Sequence, residues 1–316
     1  EAGFPLMLFY CKAFGLRIAS SVDLAGVPCE RDDPDLIVQS RALNPGTNNA
    51  DTIFPGNRRW GQGTCTGENI AAIAGVGRFR ARRGREVMIE HEPFLPPADL
   101  RAFAINTALP LVLQQRECLV LEASAIRWGG RTLLLMGRGP CGKSSLAALM
   151  ADAGAELLAD SHCVIKMDSD GVLSMYPALP HVRLWPPQIE ELSGSWPAPS
   201  RLREGLEKYS FVVPEKFDNA NVTINGMLLL CRGVDASFHI RRLLLPEALQ
   251  AVVLCSERLY RESEPRAPAG RFGLLTRLAG LPICHLLQWP RGARYVADTR
   301  DRLIEFLAAS DTPKPR

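Results

Sequence analysis

Eight consecutive residues, Gly137-Arg138-Gly139-Pro140-Cys141-Gly142-Lys143-Ser144, carry the spacing G-x-x-x-x-G-K-S. Main-chain amides in such a loop turn inward. Together with the positive N-terminal end of the following helix they form a cradle for a polyphosphate. The Lys143 ammonium is expected at the β- and γ-phosphates, and the Ser144 hydroxyl on a magnesium ion. Ser145, next along the helix, belongs to the same binding set. The ligand predicted is a nucleoside triphosphate, ATP with Mg2+. Pro140 removes one amide donor from the cradle. Cys141 reads as a small filler, because the sequence offers no resolving partner for an oxidised thiol.

A loop of this kind needs a strand before it and a helix after it. Leu119–Arg127 reads as one strand, Gly129-Gly130 as a two-residue turn, and Arg131–Met136 as the strand entering the loop. Lys143–Ala153 has Leu146, Leu149, Met150 and Ala153 at the spacing of an amphipathic helix, and Gly154 stops it. Glu156–Ala159 is then a short strand with Asp160 at its carboxyl end. Such a helix implies a crossover to a parallel neighbour, which brings Asp160 to the sheet edge where the loop lies. Across the Gly129-Gly130 turn, paired residue numbers sum to 259, so Glu122 should face Gly137. Acid–base or magnesium-linked roles follow for both carboxylates. The alternatives are a capping or turn Asp160 and a solvated strand-end Glu122.

The remaining elements are read more coarsely. Residues 1–95 form a β-rich region in which Val76–Arg82 and Arg85–His91 flank Arg83-Gly84 as a hairpin. Its arginines (78, 80, 82, 83 and 85) read as a solvated edge that discourages strand pairing, with docking of an acidic or phosphorylated partner as the alternative. Arg31–Thr66 takes no assignment. A helix capped by Asp99 should bury Leu100, Phe103, Ala104, Leu111 and Leu113, with Pro110 kinking it. Downstream, Val164–Met167 and Val172–Met175 form a hairpin, Val222–Cys231 and Ile283–Gln288 are strands, and Leu274–Ala279 and Arg300–Ala309 are helices, the latter capped by Thr299. The expected division is 1–95, an α/β P-loop domain over 96–311, and a flexible tail at 312–316.

Composition narrows the class. The chain has 316 residues, 47% apolar and 22% charged, as in a water-soluble globular protein. A net charge of +3 is too small to imply a nucleic-acid partner. Nine scattered cysteines without a C-x-x-C pair predict neither zinc nor disulfides and suit a reducing cytoplasm. No apolar run reaches membrane-spanning length, and Phe4–Tyr10 lacks the basic leader and cleavage site of a signal peptide. The five histidines have no ligand spacing, although His162 stands two residues from Asp160. Trp185, Trp196 and Trp289 lie near prolines and read as packing residues. No G-x-S-x-G elbow supports hydrolase chemistry.

Glu122-Ala-Ser-Ala-Ile126, the loop at 137–144 and Leu157-Leu-Ala-Asp160 together resemble the HPr kinase/phosphorylase superfamily, in particular its HPr-kinase-like branch that includes lasso-peptide kinases. Tyr176-Pro177, Pro180, Arg183-Leu-Trp185 and Glu207-Lys208 are similar to later segments of that branch; Phe14-Gly-Leu16 and Leu100–Arg116 are similar to its N-terminal region. The resemblance implies an ATP-dependent kinase that transfers the γ-phosphoryl to a hydroxyl, commonly serine, on a peptide such as a lasso-peptide precursor. HPr itself is disfavoured, since no Glu-Val-Arg-Gly-Leu-Gly stretch occurs. In such enzymes an aspartate pair follows the strand after the loop. Here Asp160 is followed by Ser161, and Glu122 stands where a histidine is usual. The implied site is Asp160 as base, Lys143 on the phosphates, and Ser144, Asp160 and Ser161 toward the metal. Glu122 would compensate the lost charge or accept a proton, and Arg183 or Lys208 would cover the transferring group. Two other readings remain: a catalytically silent ATP-binding regulator or scaffold, and a small-molecule hydroxyl kinase. The sequence does not specify an oligomeric state.

Overall fold

In a computed structural model, residues 8–44, 60–65, 67–203, 205–213, 217, 221–232, 238–257, 269–290 and 296–310 are described. The expected tail at 312–316 lies outside them, as does much of Arg31–Thr66. Mixed α/β structure is organised around four sheets. None of the described helices is long and apolar enough to cross a membrane.

The first sheet holds β1 (Phe9–Ala13), β2 (Leu16–Ser20), β3 (Val27–Pro28), β4 (Leu36–Ala42), β5 (Trp60–Cys65), β6 (Glu68–Ile73), β7 (Gly77–Arg82) and β8 (Glu86–His91), in the order β3-β1-β2-β4-β8-β7-β6-β5. The basic hairpin is therefore not an edge. Both its strands are interior, between β4 and β6, and Arg78, Arg80 and Arg82 are held in ion pairs. Glu90, 3% exposed, takes Arg41 at 2.5 Å, Arg80 at 3.2 Å and Arg78 at 3.5 Å. That burial is tolerable because cations replace the carboxylate's lost water.

Helix α1 (Pro97–Phe103) begins at Pro97, not on an Asp99 cap. Proline suits the first helical position, where its missing N–H costs nothing, and this moves Asp99 into the first turn. A π-helical segment, Ala104–Ala108, links α1 to α2 (Leu109–Gln115). Pro110 offers no N–H to Asn106 four residues earlier, and the widened turn falls there. The kink expected at Pro110 thus takes a definite form.

Leu119–Arg127 is not one strand. It divides at Glu122 into β9 (Leu119–Leu121) and β10 (Ala123–Trp128), which join different sheets. The Glu122 amide leaves the ladder and donates to the Cys255 carbonyl at 2.8 Å. Next come β11 (Arg131–Met136), α3 (Lys143–Asp152), β12 (Glu156–Ala159), β13 (Cys163–Met167), β14 (Leu173–Tyr176), β15 (His181–Leu184) and α4 (Pro186–Ile189). They are followed by β16 (Ser200–Arg203), β17 (Leu206–Val212), β18 (Val222–Thr223), β19 (Gly226–Arg232) and β20 (His239–Arg242). The chain continues through α5 (Leu245–Glu257), α6 (Ala269–Gly280), β21 (Cys284–Trp289) and α7 (Val296–Ser310).

The central sheet runs β12-β10-β11-β19-β21-β20, with β11, β19 and β21 parallel. β12 is not the parallel neighbour of β11, because β10 lies between them, antiparallel to both. β11 and β12 still point the same way, so the loop and Asp160 share one edge. α3 is buried almost all round, not on one face, since it packs on β10, β15 and α7. Ala153, exposed, falls just outside it, and Thr299 lies inside α7, fully buried.

Candidate active site

The strand β11 delivers the chain to the loop at Met136, and Gly142 starts α3 in a left-handed conformation, φ +101°. A Cβ on Gly142 would meet the ring of Trp289, which is 1% exposed and closes the loop from beneath. Only glycine meets both demands. Arg138, Gly139 and Pro140 form the exposed crest, while Gly137, Cys141 and Ser145 are buried and Ser144 is half-buried. Burial pushes the Cys141 thiol up despite the cation of Lys143 beside it.

Four of the residues singled out in the sequence converge. Lys143 Nζ donates to the carbonyls of Gly137 at 2.6 Å and Gly139 at 3.1 Å, and reaches the Glu122 carboxylate at 3.5 Å. The register behind this holds: Ala123 pairs with Met136 and Trp128 with Arg131, so the pairs do sum to 259. The expected Glu122–Gly137 pair does not form, because the strand breaks at Glu122; its carboxylate meets the loop through Lys143 instead.

Asp160, 9% exposed, is held on both oxygens. Oδ1 accepts from Ser124 Oγ at 2.6 Å and Ser144 Oγ at 2.8 Å; Oδ2 accepts from the Arg183 amide at 3.1 Å. Three donors in different directions fix the carboxylate's orientation. Ser124 was missed in the sequence, although the register contains it. Ala125 pairs with Ala159, which puts Ser124 opposite Asp160, but only once β10 is known to lie beside β12.

Ser161 turns away from the Ser144–Asp160 pair. Its backbone is left-handed, φ +75°, an unusual conformation for a non-glycine residue. Its hydroxyl accepts from Arg183 Nη1 at 3.3 Å. Arg183 is not a surface cation. It is 5% exposed, and Nη1 also donates to Asn106 Oδ1 at 2.6 Å. Asn106, on the π-helical segment, is a second residue the sequence did not signal. Lys208, on β17, sits 5.8 Å from the Trp185 ring centroid. Burial lowers its ammonium pKa, opposed by the Asp160 and Glu122 carboxylates and reinforced by Arg183 and Lys143. It therefore lies within electrostatic reach of the cluster. His162 is buried directly after Ser161.

The donor set suits Mg·ATP. Magnesium is commonly held by one or two carboxylates, a hydroxyl, waters and the substrate's phosphates, and the Ser144–Asp160 oxygen pair beside Lys143 supplies the protein's share. Among the described residues no three His, Cys, Asp or Glu side chains cluster as a metal cage.

No family model and no curated protein matches the chain. Among solved structures, the HPr(Ser) kinase/phosphatase from Coxiella burnetii overlaps 61% of this chain and 99% of its own, at 11% identity and a TM-score of 0.33. An overlap that shallow fixes neither fold nor chemistry, so the functional reading stands on the site itself.

Proposed function

We propose that this protein is an ATP-dependent kinase that transfers the γ-phosphoryl group to a serine hydroxyl on a peptide. The observation that carries the reading is the meeting of Lys143, Ser144, Asp160 and Glu122 where β11 turns into α3. Phosphoryl transfer asks chiefly for positioning and charge neutralisation, and these are the groups it needs.

In this reading the amides of residues 137–139 and 141–144 and the Lys143 ammonium bind the triphosphate. Ser144 and Asp160 would hold the magnesium ion, whose chemistry is to neutralise charge on the β- and γ-phosphates. Asp160 takes the proton from the acceptor hydroxyl as its oxygen bonds to the γ-phosphorus. The bond from the γ-phosphorus to the bridging oxygen breaks, and ADP leaves. Glu122 orients Lys143 and restores the negative charge lost where Ser161 replaces a second aspartate. Lys208 covers the transferring group. The peptide class of acceptor, including a lasso-peptide precursor, comes from the family resemblance in the sequence.

One observation favours a silent ATP-binding regulator as the second reading. Ser161 faces Arg183, so only one carboxylate, Asp160, stands beside Ser144. Incubation with Mg·ATP and a panel of serine peptides and small hydroxyl compounds separates the readings. Phosphoserine should appear in a peptide, and Asp160→Asn should slow its formation by about 10²–10⁴-fold, the usual worth of a positioned base. Nucleotide binding without phosphoryl transfer to any acceptor, or an Asp160→Asn variant as fast as wild type, would contradict the kinase reading.

A further inference from the structure

A second recess lies between α1, the π-helical segment and the sheet β15-β17-β16. It leaves about 20 Å³ free to the centre of a water-sized group and is partly open to solvent. Among the described residues its polar lining is Arg101, Arg183, Arg201, His181, Ser200 and Ser210, with no carboxylate. Arg101 is already paired with Asp23 at 2.6 Å, Asp99 lies 3.8 Å from Arg203, and Asp160 accepts from the Arg183 backbone amide, so the Arg183 guanidinium and Arg201 are the lining cations with no ion pair to a carboxylate among the described residues. His181 adds no charge at neutral pH. Burial, then the Arg183 cation, depresses its pKa to about 4, and its Nε2 lies 2.9 Å from the Ala25 carbonyl.

Arg183 is the unusual member. Its side chain meets only neutral acceptors, Asn106 Oδ1 and Ser161 Oγ, and its buried Nε has no hydrogen-bond partner among the described residues. A buried guanidinium satisfied only in part is costly, and a carboxylate is the group whose shape answers it. Arg201, exposed on β16, stands at the same recess.

We propose that this recess binds the carboxylate of an acidic residue flanking the acceptor serine, and so sets the enzyme's choice of peptide. The inference rests on the kinase reading for its acceptor. Geometry links the two sites: the Arg183 amide holds Asp160, and its guanidinium reaches Ser161, the next residue. An extended peptide advances roughly 3.3–3.6 Å per residue, so the acidic side chain belongs within about three positions of the serine. The small volume admits the end of one side chain and no larger group.

The test uses the full chain and labelled serine peptides carrying Glu, Gln or Lys at each of those positions. Binding is followed by fluorescence anisotropy without nucleotide, and transfer is measured separately with Mg·ATP. Wild type should bind the best Glu peptide about tenfold more tightly than its Gln counterpart, the scale of one charge-assisted contact. Arg201→Glu, at an exposed position that should not disturb folding, should erase that preference and turn it toward Lys. Equal binding of Glu, Gln and Lys peptides, no peptide binding at all, or a preference that survives Arg201→Glu would overturn the recess. A charge preference in binding with no phosphoryl transfer would instead sink the kinase reading and leave the recess standing.

Discussion

Asp160 receives hydrogen bonds from two serines and one backbone amide, and each donor comes from a different strand or helix. Ser124 is the one with no direct part in ligand binding, which makes it a positioning residue. Ser124→Ala should cost about 1 kcal/mol of stability, as for one lost hydrogen bond. It should also lower kcat for phosphoryl transfer more than it weakens Mg·ATP binding, and titration calorimetry beside steady-state kinetics resolves the two. Equal losses in both would make Ser124 merely structural. Cys141 gives a second residue-scale expectation. Its buried thiol is pushed up in pKa and should alkylate slowly at neutral pH, after Cys231, which is exposed on β19. Peptide mapping after brief iodoacetamide treatment reads the order. Lys143 and Ser144 were legible from spacing alone. Asn106 was not, because its value depends on a π-helical turn and on Arg183, 77 positions away.

At the scale of elements, the strand–loop–helix unit could be read because its signals are local: a two-glycine turn, an apolar strand and a phosphate loop in one run. The Gly129-Gly130 turn even fixed the register correctly. Three features were out of reach because non-neighbouring chain decides them. The break at Glu122 exists because Cys255 offers a carbonyl there. The insertion of β10 between β11 and β12 is a matter of sheet order. α3 is apolar all round because α7 and β15 cover it. The loop's own geometry predicts that Gly142→Ala, with a positive φ and Trp289 against its Cα, should lose roughly 2 kcal/mol or more of stability and most nucleotide affinity. Urea unfolding and calorimetry on the variant check both. On β15, His181 titrates at about 4 in the fold, against about 6.5 in an unfolded chain. Its neutral form therefore contributes stability fully above pH 6.5, and that contribution fades as the pH falls toward 4. His181→Gln should lose on the order of 2 kcal/mol less than wild type between pH 7 and 4.5, measured by paired denaturant curves.

Across the whole molecule, the eight-stranded sheet shares an interior with one face of the central sheet, while Leu146 and Met150 of α3 pack with Leu133 and Leu135 in a second cluster on the other face. One apolar cluster runs from Ile18, Val38 and Phe79 through Leu109 and Leu113 to Leu119, Leu158 and Cys163. The turn between β1 and β2 is tied in as well. The Phe14 amide donates to the Pro177 carbonyl at 2.6 Å, and a side chain on Gly15 would strike the Tyr176 ring. These two segments thus meet in space. Residues 1–95 and the part that follows are therefore proposed to unfold together: fluorescence and far-ultraviolet circular dichroism should give coincident urea transitions, and a fragment beginning at residue 96 should not fold alone. Two separated transitions would restore independent domains. The central claim is the capture of a triphosphate by residues 137–144, and titration calorimetry with Mg·ATP tests it most directly. Wild type should bind one equivalent, and Lys143→Ala should weaken that binding at least tenfold, as loss of a charge-assisted contact implies; no heat from wild type, or equal affinity in the variant, would contradict the account.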